Sequence, residues 1–484
     1  MPATAQDPAA ERLFQEARRL EQEGDAAAAL EDLTLLVQQF PADRRTPGAL
    51  LRIVELHRAR GERDAAISAA ERLLANHARS PEAATAFNLQ AEMAVEEARA
   101  PAEIEEARAT FRRVPLLYGR ESFPDLEARS RARIRSGELS LLLGELDDAA
   151  AQFLAVIEDE PPSRRTGRAQ LRLASALLAG GEPTAAAEIL QRLAAAGDET
   201  TDTADRARAG RLLSLLHRRL LRPLAGQRHW LTSGRFPASG MALREPAGVA
   251  AAEDGRVVIV DSRLPLVALL DADGRELGRR VLRDVRNPGW LADGRPYVAS
   301  EGRVLLPFDG EQVTFSDPRA GRDAAMKNIF AAARDPFGHW FVAAKGWKSL
   351  LHYTNPRQGR ELLGSSRPEF QDLARDERGR IYALDIAAAQ VVRIGIDGQS
   401  EGVIVRGSWK KPEALAVDPL GNLYVLDRDT RRVEVFDSRG QRLTAVGPQL
   451  GAGIELRQPV DLAVDGSGRL FIADRKLPFV VMLD

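Results

Sequence analysis

The sequence predicts two domains of different class, an α-helical solenoid in the first half and an all-β six-bladed propeller in the second. Three observations lead to this prediction. The composition changes near residue 225, since all five tryptophans come after it. A helical repeat fills the first half, and a strand repeat of about 40 residues fills the second. The chain of 484 residues is also long enough to form more than one hydrophobic core.

The composition argues against several classes of function. A formal net charge of −2 gives no general attraction to nucleic acid, and no apolar run is long enough to span a membrane. Because the chain has no cysteine, disulfides, thiolate metal sites and a cysteine nucleophile are excluded. Ala3-Thr4-Ala5 has the small-x-small form of a signal-peptide cleavage site. A periplasmic or exported location is therefore favoured over a cytoplasmic one, although an ordinary polar terminus has the same composition.

Small residues define the helical repeat. A glycine, or once an alanine, recurs in the first half, and an alanine follows it five positions later each time. The pairs are Gly24 and Ala29, Gly61 and Ala66, Ala102 and Ala107, Gly144 and Ala149, and Gly181 and Ala186. Glycine permits a tight turn between two helices, and alanine lets those helices approach closely. The pattern resembles the tetratricopeptide repeat (TPR), which implies helix pairs that form a concave groove for protein segments. Long connections such as "QQFPADRRTPGALLRI" are similar to those of bacterial envelope TPR proteins.

A second repeat fills the other half of the chain. The stretch "PEALAVDPLGNLYVLDRDTRRVEVFDSRG" begins at Pro412, and related copies begin at Pro246, Pro288, Ile329, Phe370 and Pro459. Each copy predicts a strand, a D-x-x-G turn, an alternating strand and a third strand, with room for a fourth. The copies resemble the NHL family, which implies a propeller blade for each. The second and third copies depart from the motif, because Ser300 and Lys345 stand where the second strand should end in an acid.

Domain boundaries follow from the two repeats. We predict an N-terminal tail at 1–8, a TPR-like domain at 9–221, a linker at 222–226 and a propeller at 227–484. The last copy ends at Asp484 after only three strands, and residues 227–250 align without a gap to 441–464. A strand around 229–235 should therefore complete the last blade and close the ring, which removes exposed sheet edges.

No motif indicates catalysis or metal binding. The chain has no G-x-S-x-G, H-E-x-x-H or phosphate-loop sequence. The D-x-x-G acids Asp376, Asp418 and Asp465 are expected to be turn residues, because their spacing does not match a calcium loop. The first strands are interpreted as rich in Ala, Val and Gly where they approach the propeller axis, so titratable groups are not expected to converge there. Metal binding is not expected of the propeller's histidines, which are His229, His339 and His352. No enzymatic activity and no cofactor are expected.

Basic residues collect at one end of the predicted propeller. Each interblade loop, the segment that leads into the first strand of a blade, carries a cation. This basic ring consists of Arg244, Arg286, Lys327, Arg367, Lys410 and Arg457. The turns between second and third strands lie at the same end. With the nearby loop residues they predict a partner-facing surface made of Lys345, Trp347, Lys348, Trp409, Lys410, Lys411, Arg428 and Arg475.

This surface has two interpretations. Exposed tryptophan beside lysine and arginine is typical of the centre of an interface, which favours an anionic partner. Regular placement of the basic ring instead favours a structural role, in which its cations pair with the acids that end the second strands. Those acids are Asp261, Asp385, Asp427 and Asp474.

The function predicted from the sequence is that of a noncatalytic protein-interaction scaffold. It would belong to a bacterial multiprotein assembly of the cell envelope and would use the TPR groove and one propeller face to hold other proteins. One alternative is an enzyme or small-ligand receptor that uses the axial pocket of the propeller. Another is binding of an anionic polymer, RNA or glycan, by the basic face. Nucleic acid is the less expected partner, and the sequence indicates no particular small molecule.

Overall fold

The computed structural model describes residues 7–484 except for 99, 124–126, 198–200, 222–229, 231–232, 238–240, 292, 301–302, 336–337, 363–367, 377 and 396. The predicted cleavage site, the predicted linker at 222–226, His229 and Arg367 therefore lie outside the described residues. The chain forms two compact units. The first comprises Met1–Ala98, Ala102–Ser140 and Ala151–Asp159, and the second comprises Arg99–Pro101, Leu141–Ala150 and Glu160–Asp484.

The first half of the chain is helical, as predicted. Its helices are α1 Pro8–Gln22, α2 Ala26–Gln39, α3 Thr46–Ala59, α4 Arg63–His77, α5 Pro81–Glu97, α6 Pro101–Leu117, α7 Glu127–Leu143, α8 Leu146–Asp159, α9 Arg164–Gly180, α10 Pro183–Ala194 and α11 Thr203–Leu216. A π-helical turn, His217–Leu221, follows α11. Several helices begin where an aspartate or serine side chain accepts a backbone N–H of the first turn. These residues are Asp7, Asp25, Ser80, Ser163 and Asp202.

The small residues of the helical repeat have the roles that the sequence predicts. The repeat glycines have φ between 74° and 85°, a conformation that glycine adopts without steric cost. They are Gly24, Gly61, Gly144 and Gly181. The alanines five positions later are almost completely buried, and these are Ala29, Ala66, Ala107, Ala149 and Ala186. No helix among the described residues is long and apolar enough to cross a membrane.

The second half forms six four-stranded antiparallel sheets, each of which is one blade of a propeller. Blade 1 consists of β2 Pro246–Ala251, β3 Val257–Asp261, β4 Leu266–Leu270 and β5 Glu276–Val281. Blade 2 consists of β6 Val285–Trp290, β7 Pro296–Ser300, β8 Arg303–Leu306 and β9 Glu311–Thr314. Blade 3 consists of β12 Ile329–Arg334, β13 Trp340–Ala344, β14 Leu350–Tyr353 and β15 Gly359–Leu362. A short hairpin, β10 Ser316–Asp317 and β11 Gly321–Ala325, connects blades 2 and 3.

Blades 4 to 6 follow the same order. Blade 4 consists of β16 Phe370–Arg375, β17 Ile381–Asp385, β18 Gln390–Ile394 and β19 Ser400–Arg406. Blade 5 consists of β20 Pro412–Val417, β21 Leu423–Asp427, β22 Arg432–Phe436 and β23 Arg442–Val446. Blade 6 consists of β24 Pro459–Val464, β25 Leu470–Asp474, β26 Val480–Leu483 and β1 Ser233–Phe236. β1 pairs with β26, from Ser233 opposite Leu483 to Phe236 opposite Val480. The last blade is thus completed by a segment that precedes the first blade, and β1 overlaps the predicted 229–235 at residues 233–235.

The second strand of each blade is buried on both faces because it lies between two other blades. In β21, Tyr424 and Leu426 pack with residues of blade 6, whereas Leu423 and Val425 pack with residues of blade 4. Successive side chains of a strand point to opposite faces, so the apolar run "LYVLD" serves two interblade cores at once. This packing explains why the second strands read as nearly continuous hydrophobic runs.

Candidate functional site

The loop face of the propeller carries the interblade loops and the turns between second and third strands. In four blades the second strand ends in a buried aspartate that holds these loops in place. Asp474 accepts hydrogen bonds from the backbone N–H groups of Arg457 at 2.7 Å, Gln458 at 2.9 Å and Lys476 at 2.8 Å. Asp261 accepts in the same way from Arg244 and Glu245.

The proposed pairing between ring cations and these aspartates is therefore wrong in one respect. Asp261, Asp427 and Asp474 accept hydrogen bonds from the backbone of ring residues of the same blade, not from their charged ends. Asp385 accepts from the backbone of Glu369. Blade 3 has no acid at this position, because its second strand, β13, ends at Ala344. Ala344 pairs with Ile329 in the same register in which Asp261 pairs with Pro246 in blade 1. Lys345 thus lies one residue beyond the equivalent position.

The cations of the loop face project outward. The side chains of Arg244, Arg286, Lys327, Lys410 and Arg457 are exposed, as are those of Lys345, Lys348, Lys411 and Arg475. Arg428 is half-buried and pairs with Glu413 at 3.2 Å. Arg475 of blade 6 lies 3.9 Å from Glu245 of blade 1, and this ion pair joins the two blades. A basic rim is thus present among the described residues.

The two tryptophans of the predicted partner-facing surface are buried, so the expectation that they are exposed is wrong. Trp347 is 9% exposed and packs in the core between blades 2 and 3, with the Arg319 guanidinium 3.7 Å from its ring centre. Trp409 is 8% exposed, contacts Phe436 edge to face, and donates from Nε1 to Glu434 at 2.9 Å. The polar sequence "GSWKKPE" does not reveal this burial, because the tryptophan folds back onto its own blade while the neighbouring lysines point outward.

Two cavities lie along the propeller axis. The loop-face cavity has a volume of about 290 Å³, and the turn-face cavity, at the end bearing the D-x-x-G turns, has a volume of about 460 Å³. They share three lining residues, Asn287, Asp372 and Asp461, which are the third residues of the first strands of blades 2, 4 and 6. These three side chains form a polar constriction between the cavities.

The carboxylates of this constriction are held by neighbouring blades. Asp372 accepts from the N–H of Leu415 at 2.8 Å, and Asp461 accepts from the N–H of Val249 at 2.9 Å. Burial raises the pKa of Asp372 to about 7, although these backbone bonds oppose the rise. Burial, with repulsion from Asp372, raises the pKa of Asp461 well above its usual range. Burial also raises the pKa of Glu413, which lines the loop-face cavity.

The wall of the turn-face cavity is asymmetric. The last residue of each first strand lines it, and in order of blade these residues are Ala251, Trp290, Arg334, Arg375, Val417 and Val464. Blades 2 to 4 thus contribute one aromatic and two cationic side chains, whereas blades 5, 6 and 1 contribute aliphatic ones. The expectation that the axial ends of the first strands carry no converging titratable groups is wrong.

Helix α11 lines the mouth of the same cavity. Ala204, Arg208 and Arg211 are spaced i, i+4 and i+7 and therefore share one helix face, and all three line the cavity. Arg208 pairs with Glu253 of the first turn of blade 1 at 2.7 Å. Further along, Arg218 pairs with Asp484 at 2.9 Å. The cavity is thus built from the propeller together with the last helix of the repeat.

The remaining sequence candidates behave as structural residues. Asp418 accepts from the N–H groups of Leu420 and Asn422, as a turn residue should, and Asp376 and Asp465 make equivalent bonds. His339 and His352 are buried and contact each other edge to face at 5.3 Å. Over the described parts of the chain, no three His, Asp or Glu side chains are arranged to hold a metal ion.

The polar constriction and the cavity wall were missed at the sequence level. The copies of the repeat agree at their turns and second strands, and these are the positions that identify the repeat. The third and sixth residues of the first strand do not contribute to that pattern. At those two positions the copies differ, and a column-by-column comparison would have identified Asp372, Asp461, Arg334 and Arg375.

Comparisons with known protein families support the helical half of the fold. Residues 6–135 match the family described as YfiO, outer membrane lipoprotein, and residues 168–196 match a tetratricopeptide repeat family. Among solved structures, a protein of unknown function from Bacteroides thetaiotaomicron is 17% identical, with a TM-score of 0.40, covering 52% of this chain and 71% of that chain.

Two further structures are similarly distant. Virginiamycin B lyase from Staphylococcus aureus is 13% identical, with a TM-score of 0.38, covering 52% of this chain and 84% of that chain. A gluconolactonase from Xanthomonas campestris is 17% identical, with a TM-score of 0.38, covering 50% and 86%. No curated protein matches the chain.

Proposed function

We propose that the protein is a noncatalytic scaffold that holds other proteins of a bacterial envelope assembly. The observation that carries this proposal is the combination of a helical repeat of TPR type, which matches a family over residues 6–135, with a propeller of six blades in one chain. Repeats of both kinds present extended surfaces suited to binding protein segments. The matched family is that of an outer membrane lipoprotein, which supports the envelope as the site of action.

The loop face supports the proposal on the propeller side. Its aspartates fix the backbone of the loops, so the cations that these loops carry are presented on a rigid rim. A rim of exposed lysine and arginine attracts a partner with an acidic surface and sets its orientation. Because the two tryptophans are buried, we assign this role to charge and loop backbone and not to aromatic anchors.

The helical side offers a different chemistry. At the end of α6, within the matched region, Leu116 is 81% exposed and Leu117 is 56% exposed. Adjacent exposed leucines are unusual on a helix that has its own buried face, and they are typical of a protein contact. The scaffold would thus offer an apolar contact on the helical repeat and an electrostatic contact on the propeller.

Site-specific photo-crosslinking in the native organism tests this function. A photoreactive residue is placed at Lys410, at Arg457 or at Leu116 of the full chain, and at Arg279 on the outer strand of blade 1 as the matched exposed control. We expect the first three positions to give discrete protein adducts that the control does not give. The adducts at Lys410 and Arg457 should disappear when Arg244 and Lys327 are changed to glutamate. Adducts of equal yield at Arg279, or none at any rim position, would remove the propeller face from the proposal.

A further inference from the structure

We propose that the turn-face cavity binds a small anionic molecule with an apolar body. This inference does not rest on the scaffold function, because it concerns the opposite end of the axis. The cavity of about 460 Å³ lies within the range of small-molecule sites, and one side chain from every blade lines it.

The anionic end of the ligand is assigned to Arg334 and Arg375. They occupy the same strand position in adjacent blades, and both residues line the cavity. Burial lowers the pKa of Arg334, because it leaves the charge of the guanidinium incompletely solvated. Arg334 donates from Nε to the carbonyl of Gly338 at 3.0 Å, which leaves its two terminal nitrogens for an anion. In the described part of the chain, no carboxylate lies within ion-pair distance of Arg375.

Several acids that line the cavity are bonded to other arginines. Asp376 and Asp465 are bonded to Arg380 and Arg469 of their own turns, and Asp254 is bonded to Arg256. At the floor, burial raises the pKa of Asp372 to about 7 and raises that of Asp461 well above its usual range, which favours the uncharged form of both carboxyls.

The apolar body is assigned to the opposite wall. Ala251, Val417 and Val464 face the cavity from blades 1, 5 and 6 and offer no hydrogen-bonding side chain. Trp290 adds a ring beside the cations, and the Arg256 guanidinium lies 4.9 Å from its ring centre. Arg211 of α11 adds a third cation at the mouth, so the complete site needs the helical repeat as well as the propeller.

The probe for a test is 8-anilinonaphthalene-1-sulfonate, an aromatic anion with the proposed chemistry. With the folded full chain we expect one saturable site by fluorescence titration. Arg334→Gln with Arg375→Gln should weaken binding by about tenfold or more, because two charge-assisted contacts are lost. Arg275→Gln with Arg279→Gln, which removes two exposed cations of blade 1, should leave the affinity unchanged. The uncharged analogue N-phenyl-1-naphthylamine should bind at least about tenfold more weakly than the sulfonate.

Competition then separates the sources of the negative charge. Decanoate and decyl phosphate are each tested for displacement of the probe, with decanol as the uncharged reference. Displacement by either anion and not by decanol supports the site and identifies the preferred head group. If the double variant is unstable, Arg375→Gln alone decides the matter. The absence of a saturable site, or equal affinity in a folded Arg375→Gln variant, would overturn the proposal.

Discussion

The two ends of the propeller axis use the same repeat in opposite ways. At the loop face four of the six blades are alike, since their buried aspartates make equivalent bonds to the loop backbone. At the turn face the last residues of the first strands differ from blade to blade, and their differences divide the cavity into a cationic and an apolar side. Agreement between repeats therefore marks contacts that stabilise the blades and their loops, and disagreement marks where a particular chemistry can be placed.

The largest effect is expected from a tryptophan that the comparison assigns to structure. Trp409→Ala should lower the free energy of unfolding by about 4 kcal/mol, because it removes a buried ring and leaves Glu434 without its indole donor. Trp290→Ala, at the cavity wall, should cost about 2 kcal/mol or less, because Trp290 is only half-buried. Urea unfolding followed by circular dichroism measures both. Equal losses in the free energy of unfolding for the two variants would contradict the distinction between a structural tryptophan at the loop face and a cavity-lining one at the turn face.

A smaller effect should follow from removing one loop anchor. Asp474→Ala leaves three backbone N–H groups without their acceptor, and we expect a loss of about 3 kcal/mol. The matched position in blade 2 carries Ser300, and Ser300→Ala should cost about 1 kcal/mol or less, since that blade already folds without the acid. The same urea titration applies. An Asp474→Ala variant as stable as Ser300→Ala would show that the shared aspartates are dispensable.

The sequence was sufficient to predict the fold because the fold is repeated. Gly24 and Gly181 have the positive φ expected of them, and the closing strand was predicted from the unpaired end at Asp484. Such features depend on local turn chemistry and on strand period, which a sequence displays directly. The site was less accessible. Whether Trp409 points outward or folds back depends on one side-chain rotation, which no spacing reveals.

The cavity wall illustrates the other limit. Arg334 and Arg375 lie 41 positions apart in the chain and become neighbours only because blades 3 and 4 are adjacent. Each arginine by itself reads as the polar end of a strand. The arrangement becomes visible when the six first strands are superposed as a ring, so knowledge of the closed propeller has to come before knowledge of the site.

The smallest effect concerns the constriction between the two ends. The pKa of Asp372 is raised to about 7 in the folded chain, so the folded protein binds more protons than the unfolded one between about pH 4 and pH 7. The contribution of Asp372 to the free energy of unfolding is therefore fully present at low pH and is lost as the pH rises through 7. Asp461→Asn removes the repulsion between the two carboxylates, and the fall in melting temperature from pH 5 to pH 8 should become smaller by roughly 2–4 °C. Any constant cost of the substitution cancels in this difference.

Asp273→Asn, whose side chain is 73% exposed in an outer turn of blade 1, should leave the difference unchanged. A wild-type chain whose melting temperature does not fall over this range, or an Asp461→Asn variant with the same fall, would show that the constriction is too hydrated for burial to control its charge.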